Sequence, residues 1–155
     1  MKLVICEKPS VGAAVAAALG VTGKKDGYIE NDKYIISWCI GHLVQLSEAA
    51  AYGEQYRKWS YDSLPILPQE WQYTVAADKG KQFKILKDLM HRADVSEVVN
   101  ACDAGREGEL IFRFVYHQAG CKKPFTRLWI SSMETDAIKS GFDNLKDGRR
   151  YDALY

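Results

Sequence analysis

The chain has 155 residues, 47% of them hydrophobic and 26% charged, with a formal net charge of +1, the make-up of one globular domain with room for a proper core. So small a charge argues against a module that holds duplex DNA unaided, because backbone affinity rests on neutralised phosphates, so any contact with nucleic acid must be local. No apolar run approaches a membrane span and the N-terminus lacks a signal peptide's layout, so a cytoplasmic protein without a membrane partner is expected.

Lys2–Cys6 reads as a buried strand, followed by a helix with Pro9 in its first turn, an apolar face of Val11, Ala14, Val15, Ala18 and Leu19, and Gly20 as its stop. Residues 22–32 read as a turn, Tyr34–Ile40 as a strand, and Gly41-His42-Leu43-Val44 as its end. From Glu48 to Pro68 there is no periodicity. Tyr52, Tyr56, Trp59 and Tyr61 crowd this stretch, and packing beneath a long loop is favoured over stacking on bases because the stretch is not otherwise basic.

Gln72–Ala76 reads as a strand, with Asp78 as N-cap of a helix over 79–91 that buries Phe83, Leu86, Leu89 and Met90. Strand 97–102, helix 107–119, strand Phe125–Ile130 and helix Thr135–Leu145 follow, and 151–155 looks like the opening of a further helix. Strands alternating with helices imply an α/β fold, a mostly parallel central sheet with helices on both faces. Cys6, Cys39, Cys102 and Cys121 are scattered without a C-x-x-C pair and are expected to be reduced core thiols.

Chemistry concentrates in Cys102-Asp103-Ala104-Gly105-Arg106-Glu107-Gly108-Glu109, where the buried run Val98–Cys102 gives way to a helix. In open α/β sheets ligands bind at the carboxyl ends of the strands, and carboxylates crowded there call for a divalent cation. The competing reading is that Glu107 and Glu109 merely favour a helix N-terminus. Arg106 suits a phosphate or carboxylate clamp, or else a salt bridge with Asp103 or Glu109. Glu7-Lys8-Pro9-Ser10 lies on a second strand-to-helix turn, opening on the same edge of a parallel sheet. Its bland alternative is a surface ion pair of little worth.

Four motifs in order, Glu7-Lys8-Pro9-Ser10, Gly41-His42-Leu43, Asp103-x-x-Arg106-Glu107-Gly108-Glu109 and Arg127-Leu128-Trp129-Ile130-Ser131-Ser132, carry a resemblance that covers essentially the whole chain. The sequence resembles the N-terminal Toprim domain of type IA DNA topoisomerases, most of all their bacterial topoisomerase III branch. The resemblance implies a Rossmann-like Toprim fold over 1–150, with 151–155 beginning a further helical domain. It also implies an isomerase that cuts, passes and reseals single DNA strands without ATP, associated with nucleoid or plasmid.

By the same resemblance, Glu7 handles the proton at the leaving 3′ oxygen, for which a raised pKa is expected, and Lys8 stabilises the phosphate. Arg106 completes the catalytic set, and Asp103 and Glu107, with Glu7 nearby, hold Mg²⁺, for which Mn²⁺ can substitute. Lys8, His42, Arg106, Arg127, Ser131 and Ser132 are the expected DNA contacts. His42 could equally be a satisfied turn histidine, and the serines could cap the next helix.

Many Toprim domains read Asp-x-Asp-x-Glu, whereas residue 105 here is Gly, so one weakly bound metal is expected rather than two. The nucleophilic tyrosine of such enzymes belongs to a later domain, and none of the nine tyrosines here has a matching context, so the chain alone should not cut DNA. The alternatives are a non-catalytic Toprim module that binds nucleic acid or a partner, and another Toprim enzyme, primase or endonuclease. The absence of a G-x-x-x-x-G-K loop argues against an ATPase.

Overall fold

A computed structural model describes residues 1–155. Its centre is a parallel sheet of β1 (Lys2–Cys6), β4 (Tyr34–Trp38), β7 (Glu97–Ala101) and β8 (Phe125–Arg127), in the order β4-β1-β7-β8. The apolar runs predicted from the sequence are the strands buried on both faces, as crossover connections require. Leu3 and Ile5 face a core built with Leu86, Leu89 and Met90 of α2 (Gly80–His91) and Ile111, Phe112 and Val115 of α3 (Arg106–Gln118). Val4 and Cys6 face the opposite core, with Val11 and Val15 of α1 (Pro9–Leu19) and Ile138 of α4 (Thr135–Asp143). The period-2 alternation of β1 thus divides its side chains between two layers of helices.

Antiparallel strands extend both sides of this parallel core. Residues 22–32 are more than the turn expected: β2 (Gly23–Lys25) and β3 (Tyr28–Glu30) form a hairpin about Asp26-Gly27, with β3 antiparallel to β4. Asp-Gly is the dipeptide that favours a two-residue hairpin turn, but flanks this short and polar hide the strands. On the other side β9 (Lys146–Asp147) pairs antiparallel with β8. The expected strand 34–40 stops at Trp38, and Val44 does not end it but opens β5 (Val44–Leu46), which pairs with β6 (Tyr73–Val75) in a separate ribbon.

Several boundaries shift by a few residues. Asp78 does not cap α2; Lys79 holds that position without a side-chain cap, after a 3₁₀ turn over Ala77–Lys79. The strand expected over Phe125–Ile130 ends at Arg127, and α4 ends at Asp143. Residues 148–154 form a 3₁₀ run, and Tyr155 lies edge-on to Phe114 of α3. All four cysteines are free and buried.

The aromatic stretch departs most from expectation. It is an arm of short 3₁₀ turns closed at its base by Tyr52, whose hydroxyl accepts the Gln72 amide at 2.9 Å and meets Trp71 edge-on. Tyr52 and Tyr56 are half-buried as packing requires, but Trp59 and Tyr61 are 80% and 96% exposed, so they fill nothing beneath the loop.

Candidate functional site

The chain leaves β1 through α1 toward β4, and leaves β7 through α3 toward β8, so the two connections diverge between adjacent strands. That divergence opens a crevice beyond the carboxyl ends of β1 and β7, where open α/β sheets bind ligands. Cys6 pairs with Ala101 across the two strands, so Glu7-Lys8 and Cys102-Asp103 emerge side by side.

The Glu7 side chain is 17% exposed and its carboxylate lies 4.0 Å from the Lys8 ammonium, a loose pair at the mouth of the crevice. Its carbonyl accepts the Gly41 amide at 3.3 Å, which binds the turn after β4 to the end of β1. Gly41 has φ +61, a left-handed conformation that glycine adopts without strain. The next residue, His42, sets Nε2 3.2 Å from Glu107 Oε1, and its carbonyl accepts the Lys79 ammonium at 3.1 Å. Thus Glu7, Lys8, His42, Asp103, Arg106 and Glu107 collect on one edge from the ends of three strands and the first turn of α3. Lys79, which the sequence did not single out, belongs with them.

Arg106 makes no ion pair, and its suggested partner Glu109 is taken by others. Glu109 is fully buried, with one oxygen 2.8 Å from Arg113 Nε and the other accepting Asn100 Nδ2 at 3.0 Å. Arg106 is exposed and lines a hollow with His42 and Glu107.

Arg127 does not reach DNA as expected, because it is fully buried. Its Nη1 donates to the carbonyls of Asn100, Cys102 and Leu128, and Nη2 donates to the Asp103 carbonyl at 2.7 Å. Its Nε sits 3.0 Å from Glu109 Oε2 but without the alignment of a hydrogen bond, so this contact is an ion pair only. Burial lowers its pKa, and the Glu109 charge opposes that shift. Arg127 therefore holds the acidic turn from beneath. The signals available in sequence were Asn100, polar within an otherwise apolar strand, and the i,i+4 pair Glu109–Arg113.

Ser131 is exposed and Ser132 half-buried near the same edge. Ser132 Oγ accepts the amide of Glu134, the N-cap residue of α4, at 3.2 Å, so it steadies the turn before the helix.

The fit of a cation follows from the donors. Three His, Cys, Asp or Glu side chains do not converge on one point anywhere in the chain. Asp103 and Glu107 are exposed, and a hard cation that keeps several waters takes only one or two carboxylates. Such an open site fits them; a closed cage does not. Residue 105 supplies no third carboxylate, yet a β-carbon there would meet nothing within 4 Å. Gly108 is the opposite case, since a β-carbon would come within 2.1 Å of the Asp103 carbonyl oxygen.

The Toprim domain family profile matches residues 2–133. The chain is 49% identical over 154 residues to a protein of Shouchella clausii named DNA topoisomerase 3 and 48% identical over 153 residues to one of Bacillus cereus with the same name. In both cases 99% of this chain aligns with 21% of the relative, so it spans about a fifth of their length. Among solved structures, full-length topoisomerase I from Thermotoga maritima is similar in fold, with a TM-score of 0.60 and 19% identity over 94% of this chain and 21% of that one.

Proposed function

The chain belongs to the Toprim domain family, and from that premise we propose that it is the metal-binding catalytic module of a topoisomerase III-like type IA DNA topoisomerase. The observation that carries this reading is the meeting of Glu7-Lys8, Gly41-His42 and Asp103–Glu107 at the crevice between β1 and β7. Relatives named DNA topoisomerase 3 at nearly half identity support the branch. In this reading the whole enzyme cuts, passes and reseals single strands of DNA without ATP, and works in the cytoplasm. Residues 151–155 lead into its next domain.

Glu7, sheltered at the strand end, gives a proton to the 3′ oxygen as the phosphodiester breaks and takes it back on resealing. Lys8 and the unpaired Arg106 offset charge that develops on the phosphate oxygens. Asp103 and Glu107 hold one divalent cation, Mg²⁺ or in its place Mn²⁺, which when bound supplies further positive charge to the phosphate. His42, Ser131 and Ser132 contact DNA along the same edge. The nucleophilic tyrosine comes from the remainder of the polypeptide, so the 155-residue chain alone does not cut.

The test is plasmid relaxation by the full-length polypeptide, with and without Mg²⁺, for the native protein and an Asp103→Asn variant. Loss of Mg²⁺-dependent relaxation in the variant is expected. A specific observation favours a second reading, a non-catalytic Toprim module: the lack of a three-ligand convergence together with Gly105. Absence of cleavage by the native full-length protein at any Mg²⁺ concentration would establish that reading instead.

A further inference from the structure

The arm over residues 48–72 presents apolar surface that nothing in the chain covers. Trp59, Tyr61 and Leu67 are 80%, 96% and 79% exposed, and Leu64 and Trp71 are exposed beside them. Leu67 lines a cleft of about 580 Å³ together with Tyr52, Tyr56, Ile66, Pro68 and the polar Glu70, and Trp59, Tyr61 and Leu64 line a smaller hollow of about 270 Å³. Single exposed apolar residues are ordinary, whereas several large ones grouped around concavities mark a binding surface.

Charge decides what the surface fits. The arm carries Glu48, Glu54, Asp62 and Glu70 against Arg57 and Lys58, a net of −2. Arg57 is already 3.1 Å from Glu54, which leaves Lys58 as the one unpaired cation. A nucleic-acid backbone would be repelled, since strand-binding grooves join stacking aromatics to positive charge. A protein surface is not. The relatives this chain matches are about five times its length, because it aligns with 21% of each.

We propose that the arm is where the remainder of the same polypeptide docks, its apolar side chains entering between Leu67 and the Tyr52–Tyr56 cleft. This rests on the reading of the chain as one domain of a longer enzyme, but on none of the catalytic assignments. The base of the arm is fixed by Tyr52 and Gln72, so the docked residues meet a surface already in place.

Because the four cysteines of this chain are buried, a thiol placed on the arm can be followed by maleimide labelling, with the labelling of each unsubstituted parent protein subtracted. Tyr61→Cys and, separately, Leu67→Cys are made in the 155-residue chain and in the full-length polypeptide. Both sites label rapidly in the short chain, and at least one labels about tenfold or more slowly in the long one, as expected when exposure requires local opening. Equal rates in the two proteins would overturn the proposal. So would protection in the short chain that grows with its concentration, which means a second copy, or protection of the long chain only on adding a single-stranded oligonucleotide, which means DNA. Protection in a long chain that never cuts DNA would reject the proposed catalytic function and leave the docking surface standing.

Discussion

At the crevice Glu7 and Lys8 are unequal partners: Glu7 is sheltered at 17% exposure while Lys8 is 52% exposed, and 4.0 Å separates their charges. The residue with protein around it is the one assigned the proton. Glu7→Gln keeps the shape but cannot carry a proton, so cleavage and relaxation by the full-length enzyme are expected to fall about 10²–10⁴-fold. DNA binding should hold or tighten, because a negative charge beside the phosphate has gone. Oligonucleotide cleavage alongside a binding titration measures both, and cleavage near the native rate would remove Glu7 from the chemistry. A second residue-scale prediction concerns Glu109. It is fully buried against Arg113 and Arg127, so Glu109→Ala strands two guanidinium groups and is expected to cost about 3–5 kcal/mol. Urea unfolding of the 155-residue chain measures this, and a midpoint unchanged from native would show that backbone carbonyls, with Asp152 for Arg113, satisfy the arginines without Glu109.

The turn between β7 and α3 makes two neighbouring glycines respond in opposite ways. Gly108→Ala forces a methyl against the Asp103 carbonyl and is expected to cost about 1–3 kcal/mol and displace the acidic turn. Gly105 has φ 168, extended backbone open to any residue, with free space around it. Gly105→Asp should therefore fold as native and tighten Mn²⁺ in a relaxation titration; unchanged affinity would mean that position 105 does not face the cation. The parallel core was legible because buried strands leave runs such as Leu3-Val4-Ile5 and Val98-Val99, and α3 because Ile111, Phe114 and Val115 recur at helical spacing. The β2–β3 hairpin and β5 were not, since three-residue strands are too short to show an alternation, whereas β6 was read within Gln72–Ala76 but without its partner. At the site, motif order led to Glu7, Asp103 and Glu107. The inward path of Arg127 escaped notice because an arginine that follows a strand start looks the same whether it turns to solvent or to a buried carboxylate.

Over the whole molecule, protons are held on groups the core shields. Burial raises the Cys6 thiol, with Cys39 and Asp103 adding to it, and a hydrogen bond with Cys39 together with burial raises Cys102. Burial also pushes Tyr116 up to about 12. Groups whose folded pKa exceeds the unfolded value stabilise the fold fully below the unfolded pKa and lose that contribution as pH rises toward the folded one. Thermal stability should therefore start to decline near pH 9, where thiols of the unfolded chain begin to ionise, and fall further past pH 10 as tyrosines follow. Melting temperature against pH tests this, and a flat profile to pH 11 would contradict it. The antiparallel strands that flank the parallel core bear on colloidal behaviour as well. One border of the sheet is β2 with Lys24 and Lys25 exposed, and the other is the two-residue β9. A border that is short or charged offers little for another molecule's strand to add to. Replacing both lysines by valine should turn that border into a template for growth, visible as light scattering and thioflavin fluorescence at concentrations where the native chain stays clear.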